Sequence, residues 1–307
     1  MLIIYTKREA LYKEIAIIAP TASGKTALSI ELAHKYNAII LSLDSLAVYK
    51  EIDIASAKPT LNERDGIIHF GVDKIYTNEK FDVVEFIEEY KSAKNYAMQN
   101  HKNLIIVGGT GFYLKSLLTG LSNAPKISLD TTTKVDLMLQ NISKAYEYIR
   151  EIDEKYMSNI EQNDLYRVRK ALEIYYETNT APSEYFKQNP QIPIIDKIDI
   201  FEIETDVDVL RKRIQLRTKI MIESGLIDEV IYLEKKYTRL PNPMSSIGII
   251  ETLDYLDGRV SKIELEELIS IHTAQLAKRQ RTFNKSQFEN VIKDNLTNLE
   301  KQICKIF

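Results

Sequence analysis

The chain has 307 residues, 44% hydrophobic and 28% charged, with a formal net charge of −3. It can therefore bury a sizeable core, and it is not a globally basic nucleic-acid binder. No apolar run approaches the roughly 18 residues of a membrane span, the opening MLIIYTKREALYKE reads as neither leader nor anchor, and the single cysteine, Cys304, excludes an intrachain disulfide and any cysteine-rich zinc site. A cytoplasmic protein that does not engage membranes is expected.

The first third alternates strand-like and helix-like segments. IAIIA (15–19) is followed by a helix from about Lys25, AIILSL (38–43) by a helix from about Phe81, and NLIIV (103–107) by a helix after GGTG (108–111). This pattern predicts an α/β fold with a parallel sheet flanked by helices, whose ligands bind beyond the carboxyl ends of the strands. From 126 to 196 strand signals fade into charged, tyrosine-rich helical stretches ending in KQNPQIPIID, which predicts a helical insertion domain. KIDIFEIET (197–205) reads as a strand rejoining the core. Helices with a glycine stop at Gly225 follow, and a long helix starts near Glu264. The expected division is 1–125 with 197–307 as catalytic core and 126–196 as the insertion.

Between the first strand and helix lie Ala19, Pro20, Thr21, Ala22, Ser23, Gly24, Lys25 and Thr26. Glycine, lysine and a hydroxyl in that order, at a helix N-terminus, suit a P-loop that cradles phosphate, with Thr26 on the magnesium side. The full pattern opens with glycine where this chain has Ala19, which either keeps an allowed backbone geometry or distorts the loop. Asp44 ends the second strand segment beside that loop, where it can take a proton, hold a magnesium water, or cap the next turn. The third strand, where a P-loop ATPase places its magnesium-binding acid, ends in glycines instead. His34, His69, His101 and His272 lack metal-ligand spacing and read as surface or hydrogen-bonding residues. Three basic clusters, at 167–170, 211–219 and 278–285, are individually solvated faces but together point to a polyanionic partner.

Five blocks in order, PTASGKTALSIELA, LDSLAVYKEIDIASAKPT, LIIVGGTGFYLKSLLTGLS, NDLYRVRKALE and LAKRQRTF, resemble the tRNA dimethylallyltransferase, or tRNA isopentenyltransferase, family over nearly the whole chain. The resemblance implies transfer of a dimethylallyl group from dimethylallyl diphosphate to the exocyclic amine of the adenine on the 3′ side of the anticodon. The loop would then hold the diphosphate leaving group with Mg²⁺. By match to the family, Asp44 is the base, and Thr21, Lys25 and Arg217 act at the diphosphate. Asp44, Ser45, Leu46, Ala47, Thr110, Tyr166, Arg167, Val168, Arg169 and Lys170 meet tRNA. Family members reach the adenine by extruding it into a channel partly closed by the insertion. Many relatives carry an aromatic and a basic residue where SIGIIET has Ile249 and Ile250, so an RNA contact there is not expected of this chain. A monomer is expected. A P-loop small-molecule or nucleotide kinase shares the loop and a mobile lid, and a non-catalytic RNA-binding protein with a nucleotide-sensing loop shares the basic clusters. Both stay open on residues alone.

Overall fold

The computed structural model describes residues 12–122 and 124–307; the first eleven residues of the opening segment read above lie outside them. In chain order the elements begin with β1 Glu14–Ile18, α1 Lys25–Lys35, β2 Ala38–Ser42, α2 Leu61–Arg64, β3 His69–Phe70, α3 Val83–Gln99, β4 Asn103–Gly108 and α4 Gly111–Thr119. Five helices follow, α5 Leu129–Leu139, α6 Ile142–Ile152, α7 Glu154–Met157, α8 Leu165–Thr178 and α9 Pro182–Gln188. The chain then makes β5 Asp199–Ile203, α10 Val207–Glu223, α11 Leu226–Tyr237, a 3₁₀ turn at Asn242–Ser245, α12 Ile249–Leu256, α13 Lys262–Gln287, β6 Ile292–Asp294 and α14 Leu296–Ile303. Two compact units result: the described residues up to Leu117 with Asp196–Phe307, and Leu118–Ile195.

In the first unit the six described strands form one parallel sheet in the order β3-β2-β4-β1-β5-β6. The inner stretches of β1, β2 and β4 are buried and apolar, as expected of parallel strands covered on both faces. Ile17 pairs with Val107 on one side and Phe201 on the other, so the ends of β1, β4 and β5 are level. That alignment gathers the loops after them at one edge. Ile15, Ile17, Ile40, Val107 and Phe201 pack with Leu28 and Leu32 of α1 and with Leu299 and Ile303 of α14 to form the core on one face. The helix expected from Phe81 begins at Val83 because Asp82 caps it, accepting from Val84 N–H while Glu85 returns a bond to Asp82 N–H.

The second unit is helical, with Val135, Ala145, Ile149, Met157, Val168 and Leu172 at its centre. Two strands of the sheet, β3 and β6, are not legible as strands in the sequence. Each is two or three residues long, sits at an edge, and buries too little to show an apolar run. Among the described residues, no helix is long and apolar enough to cross a membrane.

Candidate active site

The loop between β1 and α1 is shaped by two left-handed residues. Gly24 (φ 93°) starts α1 without a side-chain cap, so the helix N-terminus presents amides and the positive end of its dipole to the cavity. Ala19 keeps an allowed geometry: it stays out of the left-handed region, is buried, and donates its N–H to Gly108 O at 3.2 Å. The strain falls on Ala22 instead, at φ 63°, which costs about 1 kcal/mol for a residue with a Cβ. Arg213 steadies the next peptide through Ser23 O at 3.3 Å, and Ala22 packs against Leu210, Ile214 and Ala277.

Beside this loop is a pocket lined among others by Thr21, Lys25, Thr26, Asp44, Lys58, His69 and Arg217. Lys25 Nζ donates to Pro20 O at 3.4 Å. Burial pushes its pKa down to about 8, with Asp44 opposing that shift and Arg217 adding to it. Arg217, from α10, donates to Thr21 Oγ1 at 3.2 Å and to Ala57 O at 3.3 Å. Because Thr21 Oγ1 accepts from Arg217, its own proton is available to a ligand oxygen. Two cations and a hydroxyl thus face one end of the cavity, an arrangement that can hold an anion with several oxygens.

Asp44 does what a strand-end aspartate ordinarily does. Its Oδ1 accepts from Leu46 N–H at 2.8 Å and Ala47 N–H at 3.2 Å. A carboxylate has room for roughly four such bonds, so capping the turn does not exhaust it. The same two bonds fix the carboxylate in the cavity wall, where it can also accept from an amine. Thr26 lines the cavity from the first turn of α1. With no cluster of three or more His, Cys, Asp or Glu able to hold a metal among the described residues, the site lacks an all-protein cage. A hydroxyl beside a carboxylate and an anion pocket fits Mg²⁺ bound chiefly by ligand oxygens and water.

Two residues at the site escape sequence reading. Gln280, inside a basic cluster, reaches from α13 so that its Oε1 accepts from Thr21 N–H at 3.1 Å. A Cβ on Gly109 would lie 2.4 Å from Gln280 Nε2, so the glycine in GGTG is what admits this side chain. His69 lines the cavity from β3 with Nδ1 2.8 Å from Ile67 O. That oxygen only accepts, so Nδ1 carries the proton, and burial pushes the ring pKa down. His69 is neutral, with Nε2 as acceptor. No signal in the sequence places it there, because β3 is only two residues long.

A family model described as IPP transferase matches residues 47–287. The tRNA dimethylallyltransferase of Aliarcobacter butzleri is 59% identical, covering 96% of this chain and 99% of its own. The chain belongs to the tRNA dimethylallyltransferase family. Another tRNA dimethylallyltransferase, from a Sulfurovum species, is 54% identical over 94% of this chain and 96% of its own. Among solved structures, the tRNA isopentenylpyrophosphate transferase of Staphylococcus epidermidis superposes with a TM-score of 0.67 at 33% identity, covering 97% of this chain and all of that one. A eukaryotic dimethylallyltransferase seen acting on tRNA reaches 0.81 at 26% identity, over 94% of this chain and 75% of that one.

The residues expected from the sequence to meet tRNA divide between the units. Asp44, Ser45, Leu46 and Ala47 form the turn after β2, and Thr110 N–H donates to Leu43 O at 3.2 Å beside it. Tyr166 and Arg167 project from the start of α8, with Arg167 loosely paired to Asp164 at 3.3 Å. Arg169 is engaged with Asp136 at 2.6 Å, and Lys170 with Glu173 at 2.7 Å. Val168 is fully buried in the helical unit's core, where its side chain can order α8 but cannot meet RNA.

Proposed function

We propose that this chain transfers the dimethylallyl group of dimethylallyl diphosphate to the exocyclic amine of the adenine 3′ to the anticodon of tRNA, releasing diphosphate. The observation that carries the reading is one cavity with a carboxylate, Asp44, facing Lys25, Arg217 and the Thr21 hydroxyl, while β4 ends in Gly108 and Gly109 without an acid. A kinase or ATPase of this loop type wants an acid near β4 for its metal. A prenyl transferase wants a base opposite the leaving group.

Breaking the allylic carbon–oxygen bond puts negative charge on the diphosphate. Lys25, Arg217, the α1 amides and the Thr21 hydroxyl are aimed at it before it develops. Asp44 accepts a hydrogen bond from the adenine amine, orients its nitrogen toward the allylic carbon, and takes its proton as the carbon–nitrogen bond forms. Mg²⁺, held by Thr26 and the diphosphate oxygens, would add Lewis-acid stabilisation of the same charge. The protein works as a cytoplasmic monomer on this reading. Incubating it with tRNA and either prenyl-labelled dimethylallyl diphosphate or γ-labelled ATP tests the assignment. The prenyl label should enter tRNA, and transfer of the ATP label would favour the kinase reading instead.

Two further results follow. In the free enzyme Lys25 is cationic below pH about 8 and neutral above it, so kcat/KM for the diphosphate donor should break downward near that pH. kcat at saturating donor should hold to higher pH, because bound diphosphate restores the proton. A pH profile flat to well above that break would contradict it. On the RNA side, Lys278 is exposed on α13 and Arg167 on α8. Lys278→Ala should weaken all tRNAs alike and lower the salt slope by about 0.7–0.9 per phosphate contact. Arg167→Ala should lower kcat/KM for a substrate tRNA more than affinity for one lacking the target adenine. An equal shift for both tRNAs would make Arg167 a general electrostatic contact.

A further inference from the structure

One acid outside the cavity wall holds a strained segment against it. Glu229, half-buried in the first turn of α11, accepts backbone N–H bonds from Asp53 (2.9 Å) and Ile54 (2.7 Å) on Oε2 and from Ala55 (2.9 Å) on Oε1. Three successive amides converge on one carboxylate, and hydrogen bonds to an ionised acceptor are about twice as strong as neutral ones. Two residues on, Ala57 sits at φ 47°. A residue with a Cβ persists there only where its surroundings over-determine it.

The surroundings do so. Ala57 N–H donates to Ile54 O at 3.0 Å, and Ser56 Oγ donates to Ile52 O at 2.5 Å. Lys58, almost wholly buried, donates to Tyr49 O at 2.9 Å and pairs with Asp53 and Asp73 at 2.6 and 2.5 Å. What this conformation achieves is the aim of one carbonyl: Ala57 O meets Arg217 Nη2 at 3.3 Å, while Nη1 of the same guanidinium donates to Thr21 Oγ1 at 3.2 Å. Removing the Ala57 contact would free a guanidinium that has only one other hydrogen-bonded anchor described. The path is therefore contiguous, from Glu229 through amides 53–55 and the Ala57 carbonyl to Arg217.

We infer that Glu229 is a positioning residue for the transfer reaction, fixing the Arg217 guanidinium at the diphosphate end of the cavity by holding Ala57 O in place. The inference rests on the diphosphate-donor reading above. The test is calorimetric titration of inorganic diphosphate with Mg²⁺ into the full chain and into Glu229→Gln, Glu229→Ala, Arg217→Ala and the double variants, with tRNA affinity and Tm measured alongside. Glu229→Ala should weaken diphosphate binding by about tenfold or more. Glu229→Gln should fall between, since an amide offers one oxygen where the carboxylate offers two.

The deciding comparison is the cycle with Arg217. In the Arg217→Ala background, changing residue 229 should leave diphosphate affinity where it was, and tRNA affinity should not move in any single variant at 229. If the effects at 229 and 217 multiply independently, or if Glu229→Ala binds diphosphate as the parent does, the inference is wrong. Should the alanine variant fail to fold, Glu229→Gln carries the same cycle. A parent chain that binds no diphosphate at all overturns the donor reading, and the inference with it, a result distinct from both.

Discussion

Lys25→Ala is expected to abolish prenyl transfer, with kcat falling by about 10³ or more, the upper range for removing one preorganised group aimed at developing charge. The side chain has no substitute: its ammonium lies in the cavity against Pro20 O, and burial has already taken its pKa down to about 8. That depressed value means the fold tolerates rather than needs the charge, so alanine should not lower Tm. The cost falls on the transition state, where diphosphate carries more negative charge than in the bound donor. Single-turnover transfer of labelled prenyl to tRNA measures it. A variant that kept most of its kcat and lost only donor affinity would show Lys25 to bind ground state and transition state alike.

Asp44→Asn should lower kcat by about 10² or more, the scale of a general base. Asparagine keeps the oxygen that Leu46 and Ala47 N–H groups need, so the turn should survive and Tm should change little. It removes a negative charge that now favours protonated Lys25, so the break in the donor kcat/KM profile should also move to lower pH. The two readouts separate roles. An unchanged kcat with a reduced Tm would leave Asp44 a turn cap, and a reduced kcat with an unmoved break would place it out of electrical reach of Lys25.

How much of this was legible in the sequence follows from the range of the interactions. β1, β2 and β4 announce themselves as apolar runs because both faces of each are covered, β5 by the alternation of KIDIFEIET, and the loop before α1 is spelled by local chemistry that needs no tertiary contact. Of the two outcomes open to Ala19, it keeps an allowed geometry, and the left-handed angles of the loop fall on Ala22 and Gly24, which Ala22's residue type does not announce. Gln280 and Glu229 act across 259 and 174–176 positions of chain. Nothing in their neighbours marks them, since glutamine in a basic stretch and glutamate at a helix start are ordinary surface residues. β3 and β6 stayed hidden because two or three residues at a sheet edge leave no period to detect. The five motif blocks compensate by carrying the family resemblance whole.

The most direct test of the central claim, that the loop holds a departing diphosphate, is a donor labelled in both the prenyl group and the β-phosphate. Substrate tRNA, Mg²⁺ and the protein would be combined in a single turnover. The prenyl label is expected on the target adenine in one-to-one ratio with labelled diphosphate released intact. Phosphate label on the RNA, or labelled orthophosphate in place of diphosphate, would contradict it.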